Sequence, residues 1–414
     1  MTTLNLDSTL SLANLARPEV RADPYPLYAR LRSEDPVHWD EPMGFWVVTR
    51  YADVVRGLHE SCFSKAQGMA TALARYPEDE QPIAAPIYRF LSKQLLYVDP
   101  PYHAHLKSLM NKAFTPRVVE GMRPKIMDLV DELLDAAPAS GTWDVISQFA
   151  YPLPVRVILS MLGLPAGERE RFKEWADDFG ATIGVVRRTP RAQMEKSSSS
   201  LAAFARYIDQ FQASHCSMGF DDLLTALFNA EEEQGSRLSR EELVANAMLL
   251  LFAGHETTTN LIGNGLLALL RHPDQLQLLR DEPARLPDAI EEMMRYDSPV
   301  LVVWRLAAED IELGGKVIRK GQMVNFMLGA ANRDPAQFPE PDHFDITRTS
   351  VKQMGFGLGT HFCLGSPLAR LEAPLAFEAL LRRLPLMRLA DGAEPLAYKE
   401  QPVFHALTAL PVSF

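Results

Sequence analysis

Cysteine is scarce in this chain: Cys62, Cys216 and Cys363 are spread over 414 residues. They form no CxxC pair and no zinc-ligand spacing. So sparse and odd a count argues against a secreted disulfide scaffold, and a reducing cytoplasm is the expected setting. Basic runs are missing too. Lys and Arg number 42 against 53 Asp and Glu, a formal charge of −11. That balance disfavours nucleic acid as a partner, and an anionic membrane surface as well. The most apolar stretch, 245–270, is interrupted by His255-Glu256-Thr257-Thr258-Thr259-Asn260. The interruption excludes a simple membrane span and points to a central helix buried on most sides. The N-terminus, MTTLNLDSTL, has no basic stretch leading into an apolar run, so no secretory leader is expected. There is no internal repeat, and the serine run Ser197–Ser200 is expected at the surface.

What is present is enough apolar material for a large core, 47% of the residues. Asp23-Pro24-Tyr25-Pro26 opens a helical pattern through Arg32, and Phe45-Trp46-Val47-Val48-Thr49 reads as a strand. From about residue 111 to 286 the periodicity is mainly helical. Within it, Ser239-Arg240-Glu241-Glu242 fits a capping box opening a helix that Arg271-His272-Pro273 closes. At 1.5 Å per residue, about 30 residues give a rod of roughly 45 Å. A second helix is expected over 287–296, short strands at Val300–Val303 and Asp310–Val317, and a last helix from Pro367 to Leu384-Pro385 that contains Pro374, where a kink is expected. The fold class is mainly α with minor β.

Residues 330–362 are rich in Pro, Asp, Asn and Gly, and a loop this long in a compact domain usually serves a site. It ends in Phe356-Gly357-Leu358-Gly359-Thr360-His361-Phe362-Cys363-Leu364-Gly365. Three glycines around one cysteine permit positive φ and a close approach of backbone to a flat ligand. The helix that follows favours a thiolate at Cys363 through its dipole. Ala253-Gly254-His255-Glu256-Thr257 lies mid-way along the long helix, where Gly and Thr are poor choices. A Thr hydroxyl bonding back to a carbonyl could bend the helix and leave a notch flanked by an acid and an alcohol. Glu292-Met293-Met294-Arg295 puts two opposite charges on one helix face.

Together these segments resemble the cytochrome P-450 family, in its soluble bacterial type. The ten-residue cysteine pattern resembles its haem-binding signature. Ala331-Asn332-Arg333-Asp334-Pro335 and Phe344-Asp345-Ile346-Thr347-Arg348 look like the segment upstream of it. The resemblance runs from Asp23 to Ala409-Leu410-Pro411-Val412. It implies one large domain, 1–414 with 1–22 as an N-terminal extension, and a central long helix over the haem. Cys363 then takes the iron of haem b (iron protoporphyrin IX) as a thiolate, which pushes electron density toward O–O cleavage. Phe356, Gly357 and Gly365 frame it. Glu256 and Thr257 match the acid–alcohol pair that delivers protons to dioxygen. His103, Arg305 and His361 match the propionate partners, and Lys107 stands where many relatives have Arg, losing the bidentate fork. Glu292, Arg295 and Arg348 match a folding network. Lone histidines such as His38 and His405 are read as surface or core packing.

The implied reaction is insertion of one atom of O2 into an organic substrate by hydroxylation or epoxidation, plausible in secondary metabolism. A haem-thiolate peroxygenase or isomerase on the same fold, and a non-catalytic haem sensor, are the alternatives. By position Leu249, Phe252, Ala253, Val300, Leu301, Val303, Val403 and Phe404 line an apolar substrate pocket, with 66–96 and 168–200 selecting the substrate. No Gly-rich dinucleotide fingerprint follows a strand. Electrons are therefore expected from a ferredoxin or flavodoxin with its reductase, docking near Lys107, Lys112 and Arg370.

Overall fold

The computed structural model describes residues 10–138, 140–183, 189–215, 222–230, 235 and 237–414. The leader reading of MTTLNLDSTL and part of the 168–200 segment therefore lie outside the described residues. The chain forms two compact units. One comprises 1–63, 126–153 and 257–414, the other 64–125 and 154–256.

The first unit carries most of the strands. β1 (Val37–Asp40), β2 (Phe45–Val48), β3 (Phe63–Ser64), β5 (Val302–Ala307) and β8 (Met323–Met327) form a sheet in the order β1-β2-β8-β5-β3. β4 (Thr142–Asp144), β10 (Pro411–Ser413) and β9 (Arg388–Leu389) form a second, and β6 (Ile311–Leu313) pairs with β7 (Lys316–Ile318). The stretch expected as one strand over 310–317 is thus a hairpin. Gly314 and Gly315 turn it, with φ of +56° and +76° that other residues adopt only at a cost. β5 begins at Val302, two residues later than expected, because Pro299 keeps the preceding turn out of the ladder. β8 has no counterpart in the sequence reading. It is buried on both faces and so lacks the alternation that marks a strand.

The core beneath this sheet holds Val37, Val48, Val54, Leu58, Phe63, Val324 and Phe326. Gly57 is needed there, since a Cβ would lie 2.1 Å from the Phe326 ring. Residues 10–22 are folded rather than trailing. Ser11 Oγ donates to Asp40 Oδ1 (2.8 Å), Leu12 N donates to Asp40 Oδ2 (2.7 Å), and Val20 is buried. The helices expected near 23–32, 287–296 and 367–384 run over Tyr25–Glu34, Leu286–Tyr296 and Ser366–Arg383, the last passing through Pro374.

The second unit is helical. Helices Arg169–Gly180 and Arg191–His215 pack on each other. Only part of the serine run is at the surface: Ser199 is exposed, whereas Ser197 and Ser200 are buried. Ser197 donates to Asp178 O (2.7 Å) and Ser200 to Asp178 Oδ2 (2.6 Å), both buried. A periodic helix face, rather than the polarity of four serines, decided their burial. Asn246 on the long helix accepts from Leu95 N (2.8 Å) and donates to Lys93 O (3.0 Å).

The long helix is Arg240–Arg271. Its capping box is present: Ser239 N donates to Glu242 Oε2 (2.7 Å) and Glu242 N to Ser239 Oγ (3.3 Å). Among the described residues no helix is long and apolar enough to cross a membrane.

Candidate functional site

The cysteine loop belongs to the first unit. Its backbone is closed by Cys363 N donating to Phe356 O (3.0 Å) and Gly357 N donating to Met354 O (2.7 Å). Gly357 and Gly359 take φ of +70° and +66°, so two of the three glycines serve the turn conformationally. Gly365 does not need positive φ. It is the residue just before the helix Ser366–Arg383, and a Cβ there would lie 3.9 Å from Cys363 Sγ. Cys363 is exposed. Cys62, by contrast, is buried, and burial pushes its thiol up from the usual range. Of these two described cysteines, Cys363 is the accessible donor.

The loop is held from behind. Arg370, one helix turn into Ser366–Arg383, lies over the Phe356 ring and pairs with Glu291 (2.6 Å), which also accepts from Gln353 Nε2 (2.8 Å). Met354 N donates to Asn332 Oδ1 (2.8 Å), tying the loop to the 331–335 segment. Glu292 and Arg295 form a fully buried two-bond pair (2.6 and 2.8 Å). Arg295 also donates to the carbonyls of Asn332, Pro341 and His343. Arg348 reaches Glu292 at 3.4 Å, so the expected three-member network is present. It acts on the fold by fixing the long loop before Cys363.

Arg305 is buried on β5, its Nη1 donating to Trp304 O (2.9 Å), and Val303 shares its face two residues earlier. His361 is half-buried in the short helix Gly359–His361. Thr257 is half-buried. Val300 is half-buried, Leu301 lies against Gly329, and Val403 and Phe404 are buried. Val300 and Phe404 are bridged in antiparallel fashion.

In the second unit His103 is buried at the start of the helix Tyr102–Ala113, and Lys107 lies four residues on, half-buried on the same face. Asp99 pins the turn before it by accepting from Ser64 Oγ (2.5 Å) and Lys65 N (2.8 Å). Glu256 is buried, whereas Ala253 is exposed in the middle of a helix buried on its other sides. Leu249 is buried. Phe252 points elsewhere, packing edge-on against Phe179 (5.5 Å) and over Gly180. The helix is not interrupted at Thr257. At this level the ring of His255 reaches back along the helix, its Nδ1 2.7 Å from Leu251 O.

Sequence reasoning missed one buried polar cluster in the first unit, formed by Tyr25, Asp297 and His405. Its members lie up to 380 residues apart, and no local pattern links them.

Comparison with known proteins identifies the family. The family model described as Cytochrome P450 matches residues 64–408. Cytochrome P450 CYP107DY1 of Priestia megaterium is 39% identical over 98% of this chain and 99% of its own length. Cytochrome P450 monooxygenase PikC of Streptomyces venezuelae is 40% identical over 94% of this chain and 91% of its own. The crystal structure of P450BioI in complex with hexadec-9Z-enoic acid ligated acyl carrier protein superposes with a TM-score of 0.85 at 37% identity, covering 96% of this chain and 99% of that one. The chain therefore belongs to the cytochrome P450 family and is an oxidoreductase, a haem-dependent monooxygenase of the bacterial type that uses an organic substrate, dioxygen and redox partners.

Proposed function

We propose that this chain inserts one atom of dioxygen into a mostly apolar small organic molecule, by hydroxylation or epoxidation, with Cys363 as the thiolate ligand of haem b. The observation that carries this is the exposed Cys363 thiol, held on a loop that turns at Gly357 and Gly359, with Gly365 close to its sulfur. The residues fit the group. One accessible thiol stands just before the helix Ser366–Arg383, its backbone N–H donating to Phe356 O (3.0 Å), and Arg305 is buried on β5. Bound haem supplies electron transfer to dioxygen and cleavage of its O–O bond, which a thiolate ligand favours.

The chain's own residues do the rest. Arg305, His361, His103 and Lys107 donate charged hydrogen bonds to the propionates, each worth roughly 1.5–3 kcal/mol. Glu256 and Thr257 pass protons toward dioxygen, so that two protons and two electrons carry its second atom to water. Leu249, Ala253, Val300, Leu301, Val303, Val403 and Phe404 bind the substrate and exclude water. The exposed Ala253 supports that reading, and the P450BioI structure, with its long acyl chain, supports an apolar substrate.

Electrons come from a ferredoxin or flavodoxin with its reductase. Lys112 is exposed, and the charge of Arg370 is matched by Glu291. The chain acts as one domain, in the cytoplasm, a setting that the free thiols of Cys62 and Cys363 support. The test combines purified protein, NADPH, a panel of apolar compounds and a ferredoxin with its reductase. Oxygenated product should appear only with the full set and should vanish with Arg305→Leu after dialysis against a haem scavenger. Sustained turnover on NADPH alone would overturn the redox-partner reading.

A further inference from the structure

His405 uses every polar group it has. Its Nδ1 lies 2.6 Å from Asp297 Oδ1 and its Nε2 lies 3.1 Å from Arg21 O. Both neighbours are hydrogen-bond acceptors, so each ring nitrogen faces one. Its backbone N donates to Pro299 O (3.2 Å), and its carbonyl accepts from Asn264 Nδ2 on the long helix (2.8 Å). The ring is stacked on Tyr398, with centroids 4.2 Å apart and planes 11° from parallel. Tyr25 Oη donates to the same Asp297 oxygen (2.9 Å). The imidazole is 3% exposed, so these contacts are made without competition from water.

The position of this residue gives it a consequence beyond packing. Residues 403–405 and 299–301 run antiparallel, with Leu301 N donating to Val403 O (2.8 Å) and His405 N to Pro299 O. That pattern makes Val300 and Phe404 a non-hydrogen-bonded pair, the kind in which side chains stand closest. Successive residues on such a segment face opposite ways. The face opposite Phe404 is therefore the one that His405 ties to Asp297 and Arg21. Asp297 in turn immediately precedes Ser298-Pro299-Val300. The single bond between His405 and Asp297 thus joins the roots of both segments.

We propose that His405 is a positioning residue for substrate recognition, clamping the 403–405 segment onto 297–301 and so fixing Val300 and Phe404 in the substrate wall. This rests on the reading that those two residues line the pocket. Loss of the clamp frees the pair without touching Cys363, so it changes which substrates fit and how tightly, leaving haem ligation as it was.

The experiment compares the haem-loaded parent with His405→Ala and His405→Asn, whose amide reproduces the Nδ1–H donor to Asp297. Hydrogen exchange is read on peptides covering 298–303 and 401–407, and tetradecanoic acid is titrated against the haem spin-state shift. In His405→Ala both peptides should exchange about tenfold faster and the probe should bind about tenfold more weakly, the loss of one charged hydrogen bond. The ferrous carbonyl band should be unchanged. His405→Asn should restore most of both effects. Unchanged exchange in these two peptides overturns the clamp. So does faster exchange throughout the chain with a matching fall in melting temperature in both variants, which is the mark of a merely structural residue. No spin shift in the parent would instead sink the apolar-pocket reading, and the exchange data would still decide the clamp.

Discussion

The guanidinium carbon of Arg370 lies 4.4 Å from the centroid of the Phe356 ring, while its nitrogens hold Glu291 at 2.6 and 3.2 Å. Glu291 also holds Gln353, whose Oε1 accepts from Gly355 N (2.5 Å). The approach to the cysteine loop is therefore braced by one charged chain. Replacing Phe356 with Leu or Arg370 with Gln should each speed haem loss to a scavenger. The double variant should add little, with a coupling of about 0.5–1 kcal/mol from the cation–π contact. Fully additive losses would show that the two side chains act independently.

Cys363 should be the axial ligand. The haem-loaded parent is expected to show the red-shifted ferrous carbonyl Soret band of thiolate ligation, and Cys363→Ala to lose it. Cys62→Ala should keep it, because that thiol is buried and raised in pKa by its surroundings. Survival of the band in Cys363→Ala would remove the ligand assignment.

The Glu292–Arg295 pair is wholly buried, so removing one partner strands the other charge. Glu292→Leu should cost about 3–5 kcal/mol in denaturant unfolding and depress the yield of soluble protein. A loss below about 1 kcal/mol would place the pair with weak surface pairs instead.

Much of this was legible in the sequence where the signal is local. Ser239 and Glu242 announce the start of the long helix, and three glycines around Cys363 announce the loop. Spacing also put Glu292 and Arg295 on one face. What escaped is non-local or lacks a period. β8 is buried throughout, its one polar residue Asn325 included, and nothing in Met323–Met327 separates a strand buried on both faces from a helix segment. Ser197 and Ser200 look solvated until Asp178 arrives from the preceding helix to receive them. His405 is one histidine among ten until the fold brings Asp297 and Arg21 to its two nitrogens. Arg370 looks like a free basic charge until Glu291 and Phe356 are seen to occupy it.

Glu372, on the helix after Cys363, is fully buried, and neither carboxylate oxygen has a hydrogen-bond partner. Burial pushes its pKa up from 4.5 to about 8. The folded state therefore keeps a proton that the unfolded chain releases above pH 4.5. Stability is unaffected by this group below that value, and between there and pH 8 it falls by about 1.4 kcal/mol per pH unit. Glu372→Gln removes the titration. The variant should gain on the parent steadily from pH 5 to 7.5 in thermal unfolding, whatever constant offset its amide introduces. A difference between the two proteins that does not change with pH would show that Glu372 is ionised in the fold.

Thr257 offers the sharpest test of the proton route. It is half-buried, shares a helix face with the exposed Ala253 four residues earlier, and follows the buried acid Glu256. A hydroxyl so placed can hand on a proton, and a positioned proton donor typically contributes about 10²–10⁴-fold to a rate. Thr257→Ala removes the hydroxyl and leaves the cysteine loop intact. Haem content and the ferrous carbonyl band should therefore match the parent. Nicotinamide consumption should continue while product per reductant falls, the missing electrons being recovered as hydrogen peroxide. Thr257→Ser, which keeps the hydroxyl, should restore coupling. Glu256→Gln should slow oxygen consumption as well, because it removes the acid rather than the relay. If Thr257→Ala yields as much product per reductant as the parent, with no peroxide, the hydroxyl carries no proton and the route to dioxygen must run through other groups.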